Sequence, residues 1–388
     1  KSSRHSLALF VALALGSGTL LTASTAGAAD VSGQNVAIDD AHAPSDNAEH
    51  PGGGPAFGTA AGFIKEEANS GNVTSNTLTF KNIHYTKQLY GGLTFGTGNV
   101  TGNRVIVNSA TGTFFSNTDG IFGGAANGGG NVEDNHAVFN GNQLNGDLVG
   151  GMTKGTGTGI VKDNTALLKS GNATTVYGGI AAAGTNGDVL HNQATIENGH
   201  TGMVYGGYAE NIATNGATAA NRVTIGDVKG GYTPDLTKAE LYGGNDTVHY
   251  GNNELTVRTK DAKTISAKNF DKYTFALNAG IRAGNTMLTL TEDGNALGRN
   301  VSLADFNVDA TGWSGKGVNA QNQDVTGYYG DVGTVTLMKD GKTPNNPTLS
   351  NRVSNLYITN PSAQPTGVSE DYEYQMSVNS YVTQDHLL

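Results

Sequence analysis

The chain of 388 residues has no cysteine, only 8 prolines, and just 14% charged residues. Without cysteine no disulfide can hold the fold, so stability has to come from packing and strand ladders. The same lack suits a polypeptide that crosses a second membrane unfolded, because no crosslink obstructs it. Scarce proline excludes a collagen-like repeat or a proline-rich linker. With 23 Lys and Arg against 33 Asp and Glu, the net charge is −10. That balance excludes nucleic acid as a partner, since binding to phosphates needs clustered cations. Beyond the first residues no apolar run approaches the roughly 20 residues of a spanning helix.

What is abundant is glycine: 57 residues, about twice the usual share of ~7%. Asn, Thr and Ser fill much of the rest. Asn and Gly disfavour long helices, while Thr and Val favour strands, so the composition points to an all-β chain with many turns. Residues 1–29 read as a signal peptide. Lys1 and Arg4 precede the apolar "SLALFVALAL", and Ala26-Gly27-Ala28 fits a small-residue cleavage site. A first residue of Lys rather than Met leads us to expect further sequence before it. Residues 30–70, with "AHAPSDNAEHPGGGPAFG", read as a flexible Gly/Pro/Ala-rich leader.

Two markers repeat through 71–260. Gly-Gly follows an apolar or aromatic residue at "LYGG" (89–92), "IFGG" (121–124), "LVGG" (148–151), "VYGG" (176–179 and 204–207) and "LYGG" (241–244). "VKGG" (228–231) is an irregular extra copy. The second marker is Val-x-x-Asn followed by apolar residues two and four places on, as in "VTGNRVIV" and "VLHNQATI". Its asparagines are Asn76, Asn103, Asn135, Asn164, Asn192, Asn221 and Asn253; the sixth copy has Thr218 for Val and the seventh has Tyr250. Both markers share a period of about 29, the signature of stacked repeats.

Each unit alternates with period 2 after its Asn, as a half-buried strand does. No unit holds enough apolar surface to fold alone, but stacked units share a core. We therefore expect a right-handed parallel β-helix of about seven coils, roughly 30 Å long at ~4.8 Å per step, with a C-terminal β capping unit. A propeller blade of about 40–50 residues fits the period poorly. In the β-helix the asparagines form a ladder, each amide bonding the next. Tyr90, Phe122, Tyr177, Tyr205 and Tyr242 form an aromatic stack interrupted by Val149. The Gly-Gly pairs serve as corners, with Gly178 and Gly179 relieving a side-chain clash or allowing positive φ.

From about Asp261 the Gly-Gly repeat stops. Residues 261–343 alternate at Tyr273, Phe275 and Leu277, and again at Val335 and Leu337. Residues 344–388 read as a β-rich, truncated tail. The secretion signal, the Asn and Tyr-Gly-Gly repeats, and "KNFDKYTFAL…GNTMLTLT…GTVTLMKDG" together resemble passenger domains of bacterial autotransporter adhesin-like proteins. The resemblance covers most of 70–343 and rests on pattern rather than on a catalytic motif. It implies a β-helical passenger displayed outside the cell and a downstream outer-membrane β-barrel translocator. A barrel needs at least eight strands of about ten residues, more than the stretch after Thr343 provides, so the chain departs from the family there.

The chemistry-bearing motifs in the sequence are incomplete. Gly341-Lys342-Thr343 has Thr336 where a P-loop needs its first glycine. "YGGNDTVHYGNNE" (242–254) resembles half of a calcium-binding nonapeptide around Asp246, in one copy where stacked copies are needed. Ser314 in "GWSGKG" has Lys316 in place of the glycine of a nucleophile elbow, beside Trp313; "GDVGT" has Val332 where a nucleophilic serine would stand. The histidines His42, His50, His84, His136, His191, His200 and His249 are scattered without metal spacing. Glu133 and Asp134 are expected on opposite faces of a strand, and Asp227 and Asp235 isolated in loops.

The expectation is thus a non-enzymatic, secreted, surface-displayed adhesin or structural rod. It has no catalytic, cofactor-binding or metal residues, and its partners are host or bacterial cell-surface molecules. The alternative is a β-helical glycan-active lyase or hydrolase, which would release new sugar ends from a polysaccharide panel.

Overall fold

The computed structural model describes residues 29–38, 59–64, 70–81, 88–108, 114–115, 120–211, 217–227, 231–245, 250–278, 280–281, 285–292, 296–298, 301 and 305–312, and the strand segments 317–318, 324–325, 333–340, 355–360 and 375–379. The expected signal segment, apart from Ala29, lies outside them.

Among the described residues the chain is all-β, without an α-helix. Parallel strands wind into a solenoid of three walls. The narrow wall stacks eight two-residue strands, from Val31–Ser32 through Val132–Glu133 to Tyr250–Gly251. The asparagine wall stacks the strands that follow each ladder Asn. It includes Asn35–Ile38, Thr77–Lys81, Arg104–Asn108, His136–Leu144, Gln193–Ile196, Arg222–Ile225, Glu254–Val257 and Lys272–Asn278. The glycine wall holds Thr59–Ile64, Leu89–Thr94, Ile121–Ala126, Leu148–Thr153, His200–Ala209 and Glu240–Gly244. The long strand Thr165–Ala181 runs through both of the last two walls.

Period-2 alternation builds the core. On the asparagine wall Leu78, Val105, Ala137, Ala166, Ala194, Val223 and Leu255 stack inward in register, as do Phe80, Val107, Phe139, Leu168, Ile196, Ile225 and Val257. Each such large side chain contributes roughly 1.5–3 kcal/mol on burial. The narrow wall adds Val73, Val100, Val132, Val161 and Val189, all fully buried.

The predicted asparagine ladder is present. Asn76, Asn103, Asn135, Asn164 and Asn192 each donate Nδ2–H to Oδ1 of the next Asn, at 2.8, 3.0, 3.0, 2.9 and 3.1 Å. The same Oδ1 also accepts the backbone N–H of the Asn before it. A second Nδ2–H reaches back to the preceding turn, as from Asn164 to the Val132 carbonyl at 2.9 Å. These buried amides are therefore saturated on both sides, as burial demands. The ladder continues through the backbone N–H of Asn221, on Asn253 Oδ1 at 2.9 Å, to Asp271, whose Oδ2 accepts the Asn253 N–H at 3.0 Å.

The six regular Gly-Gly pairs are not corners. They lie inside strands, and neither Gly178 nor Gly179 has positive φ. Close approach demands glycine here instead. A Cβ on Gly179 would lie 2.6 Å from Asn192 Cγ, and one on Gly178 would lie 2.4 Å from the Gly206 carbonyl oxygen. Gly92, Gly124, Gly151 and Gly207 face Asn103, Asn135, Asn164 and Asn221 in the same way. The two sequence markers are thus one device: the glycine strand makes room for the ladder amide of its own turn. The real corner is the residue before each ladder Asn. Ser75, Gly102, Asp134, Asp163, His191, Ala220 and Asn252 all have φ between 54° and 67°. At Asn135 and Asn192 the side-chain amide also bonds the carbonyl two residues back, at 2.9 and 3.0 Å, clasping that corner.

Two boundaries move. Part of the expected flexible leader is an added turn. Val31–Ser32 pairs with Val73–Thr74, Asn35–Ile38 with the strand from Thr77, and Thr59–Ile64 with Leu89–Thr94. Gln34 occupies the ladder position, its backbone N–H donating to Asn76 Oδ1 at 2.9 Å, and Gly33 is its corner at φ 70°. Stacking also continues past 260, with Lys272–Asn278 pairing beside Glu254–Val257. A separate sheet then closes the end. Ala262–Thr264, Thr286–Leu290 and Gly333–Asp340 pair parallel, and Asn355–Asn360 and Gln375–Asn379 add antiparallel.

Candidate functional site

Two outward columns hold the chemistry that the solenoid displays. The residues just before each Gly-Gly and just after each ladder Asn stack as strictly as the core does, because parallel register puts like positions together.

On the glycine wall the tyrosines form the expected stack. Tyr90 and Phe122 lie 4.9 Å apart at 13°, Tyr177 and Tyr205 5.3 Å at 7°, and Tyr205 and Tyr242 4.8 Å at 10°. Val149, between Phe122 and Tyr177 in register, separates the two runs. Tyr208 meets Tyr177 and Tyr205 edge-on, at 5.8 and 5.2 Å. Tyr90 and Phe122 are buried, whereas Tyr177, Tyr205, Tyr208, Tyr242 and Ile180 are half-exposed and Met203 is 43% exposed. Ring faces cover one another, so the wall presents ring edges and hydroxyls. Each hydroxyl meets the side chain two residues back: Gln88 for Tyr90, Met203 for Tyr205 and Glu240 for Tyr242. Burial, then the nearby Asp147, raises the Tyr177 phenol; burial, then Tyr208, raises Tyr205; burial, then the Glu240 contact, raises Tyr242. The stack therefore stays neutral and keeps its O–H donors.

On the asparagine wall, the residue after each ladder Asn faces outward. Arg104, His136, Thr165, Gln193, Arg222 and Glu254 occupy consecutive strands. His136 Nδ1 lies 2.6 Å from Thr165 Oγ1, and His136 Nε2 lies 3.3 Å from Asp134 Oδ1. Burial lowers the His136 pKa below its ordinary value; Asp134 raises it and Arg104 lowers it by lesser amounts. Gln193 Nε2 donates to Thr195 Oγ1 at 2.9 Å. Further along, Glu254 accepts from Arg222 at 2.8 Å and from Thr274 at 2.5 Å. The Thr274 and Arg222 contacts hold its carboxyl below the usual range, outweighing its burial, which acts the other way and is the largest single influence.

The sequence reading missed the His136 cluster. It treated the histidines as scattered, and Glu133 and Asp134 as facing apart within one strand. Asp134 is instead the left-handed corner residue, at φ 54°, which turns its carboxylate toward His136. The signal was available: Thr165 follows His136 by 29 residues, one repeat. A second asparagine column was also missed. Asn72, Asn99 and Asn131, before each narrow-wall Val, accept the backbone N–H of Asn99, Asn131 and Ile160 at 2.9, 3.0 and 2.9 Å.

Asp227 accepts the Gly231 N–H at 2.8 Å and is a loop residue as expected. Asp235 is not isolated: Thr237 donates to it at 2.7 Å, and His200 Nδ1 stands 4.0 Å away. Hydrogen bonds from Thr237 lower its pKa. His191 is an exposed corner residue. His42, His50, His84, His249, Asp246, Trp313, Ser314, Lys316, Val332 and residues 341–343 lie outside the described residues. Among the described residues no three His, Asp or Glu side chains gather as metal ligands. No helix of the described residues is long and apolar enough to cross a membrane. No family model, no curated protein and no solved structure matches this chain.

Proposed function

We propose that the chain is a surface-displayed, non-enzymatic rod of the autotransporter-passenger kind, which makes weak multivalent contacts with cell-surface molecules. The observation that supports this reading is the half-exposed column Tyr177, Tyr205 and Tyr242, flanked by Tyr208, Ile180 and Met203. Tyrosine supplies large, rigid contact area at low entropic cost, and is enriched at protein interfaces. Repetition at a fixed step converts a weak single contact into avidity. The test is adhesion of cells displaying the chain to epithelial monolayers and to one another. Tyr208→Ser with Met203→Ser, which spares the stacked rings, is expected to reduce it. Full adhesion by that variant, with an unchanged circular dichroism spectrum, would remove the glycine wall as the contact surface. Export by a barrel predicts amphipathic strands of about ten residues encoded beyond Leu388; their absence would refute that route.

A further inference from the structure

The outward column of the asparagine wall places a base, a nucleophile and an acyl group on consecutive turns. His136 is the register partner of Thr165, and Thr165 is the register partner of Gln193. Strands in register stand about 4.8 Å apart, so the three side chains leave one face as immediate neighbours. The Thr165 hydroxyl is 2.6 Å from His136 Nδ1, and Asp134 sits 3.3 Å from the other ring nitrogen. Hydroxyl, imidazole and carboxylate in that order form an activated-nucleophile arrangement. The side chain on the far side of the hydroxyl is a primary carboxamide. Arg222 is the register partner of Gln193 one strand further on.

We propose that Thr165 and Gln193 condense to an ester that covalently joins two adjacent turns of the solenoid. Thr165 Oγ1 attacks Cδ of Gln193 while His136 Nδ1 takes the hydroxyl proton. The tetrahedral oxyanion forms on Gln193 Oε1, one strand from Arg222, whose guanidinium donates to Glu254 on the strand beyond. The C–N bond breaks, His136 returns the proton to the departing nitrogen, and ammonia leaves. Hydroxyl plus carboxamide becomes ester plus ammonia, so no oxidant or co-reactant is needed. Asp134 acts as a positioning residue, accepting from Nε2–H and leaving Nδ1 as the basic nitrogen. Burial keeps His136 neutral near neutrality, the state a base requires. The fixed register supplies proximity that a free alcohol and amide lack. Among the described residues, no other step of the column sets a hydroxyl between a histidine and a carboxamide. The inference is independent of the adhesive reading.

The test uses the full chain, incubated at mildly alkaline pH, denatured and digested with trypsin. Cleavage after Lys162, Lys169 and Arg222 releases peptides 163–169 and 170–222. The expected product is one linked species with their summed mass less one ammonia, whose fragmentation places the bond at Thr165 and Gln193. Thr165→Ser should still link; Thr165→Val and Gln193→Glu should not. His136→Gln should slow linking about 100-fold. Asp134→Asn should shift the pH dependence of the linking rate while the circular dichroism spectrum stays unchanged. Separate peptides at full mass from the unaltered chain would overturn the proposal. So would an ammonia deficit confined to an Asn-Gly site without a linked peptide.

Discussion

Asn164 does four things at once. Its Oδ1 accepts from Asn135 N and Nδ2 at 3.0 Å each, and its Nδ2 donates to the Val132 carbonyl and to Asn192 Oδ1 at 2.9 Å each. Asn164→Ala leaves buried partners unpaired on both sides, at about 1–3 kcal/mol each. We expect a loss of about 3 kcal/mol or more, read as a lowered urea midpoint. Gly179→Ala attacks the same ladder from outside, driving a Cβ to 2.6 Å from Asn192 Cγ. Its expected cost is about 1–3 kcal/mol, and an unchanged melting temperature would contradict the close-approach account. Thr218 offers the opposite sign. Its hydroxyl is fully buried without a hydrogen-bond partner, in the column that Val161 and Val189 otherwise fill. Thr218→Val keeps the shape and removes that polar atom, so thermal unfolding should show a gain of about 1–2 kcal/mol. The ladder and the ring stack were legible in the sequence because both repeat one residue type at one period. The role of Gly-Gly was not, because sequence does not distinguish a glycine needed for positive φ from one needed for close approach.

At the scale of a strand, register decides chemistry. His136 and Thr165 are neighbours because each follows a ladder Asn, so the ladder fixes what stands beside what on the outer face. One consequence is a pH dependence. The folded pKa of His136 lies below its ordinary 6.5, with burial as the largest cause. As pH falls through that ordinary value, the unfolded chain binds a proton before the folded one does. Stability contributed by neutral His136 is therefore full above about pH 6.5 and is lost as pH falls through the lower folded value. Urea midpoints measured from about pH 8 to pH 5 should decline on the acid side. His136→Gln should flatten that part of the curve, and an identical decline in the variant would assign the effect elsewhere. The cluster was harder to read than the core because coil lengths vary between markers. An outward position carries no hydrophobic pattern to reveal its partners.

At the scale of the molecule, the turns are joined only to their neighbours, so stability is a sum of turns and interfaces. Hydrogen exchange should be slowest at the amides of Asn135, Asn164 and Asn192 and faster toward Gln34. Uniform protection along the rod would contradict this quasi-linear behaviour. The stacking of turns was legible from the period. The first turn was hidden, because "VSGQNVAI" has Gln34 for Asn and its glycine strand keeps only Gly62 of the pair. The ladder has a further property that belongs to the whole rod. From Asn76 to Asn192 each carboxamide donates forward to the next, so their dipoles add head to tail rather than cancel. The solenoid is thereby polar along its axis in the manner of an α-helix, with partial positive charge gathering toward the C-terminal end. Beyond Asn221 the ladder runs on through the backbone N–H groups of Asn221 and Asn253 to a ladder position filled by an acid, Asp271. Its carboxylate does for this wire of amides what an acidic residue does at the N-terminus of a helix.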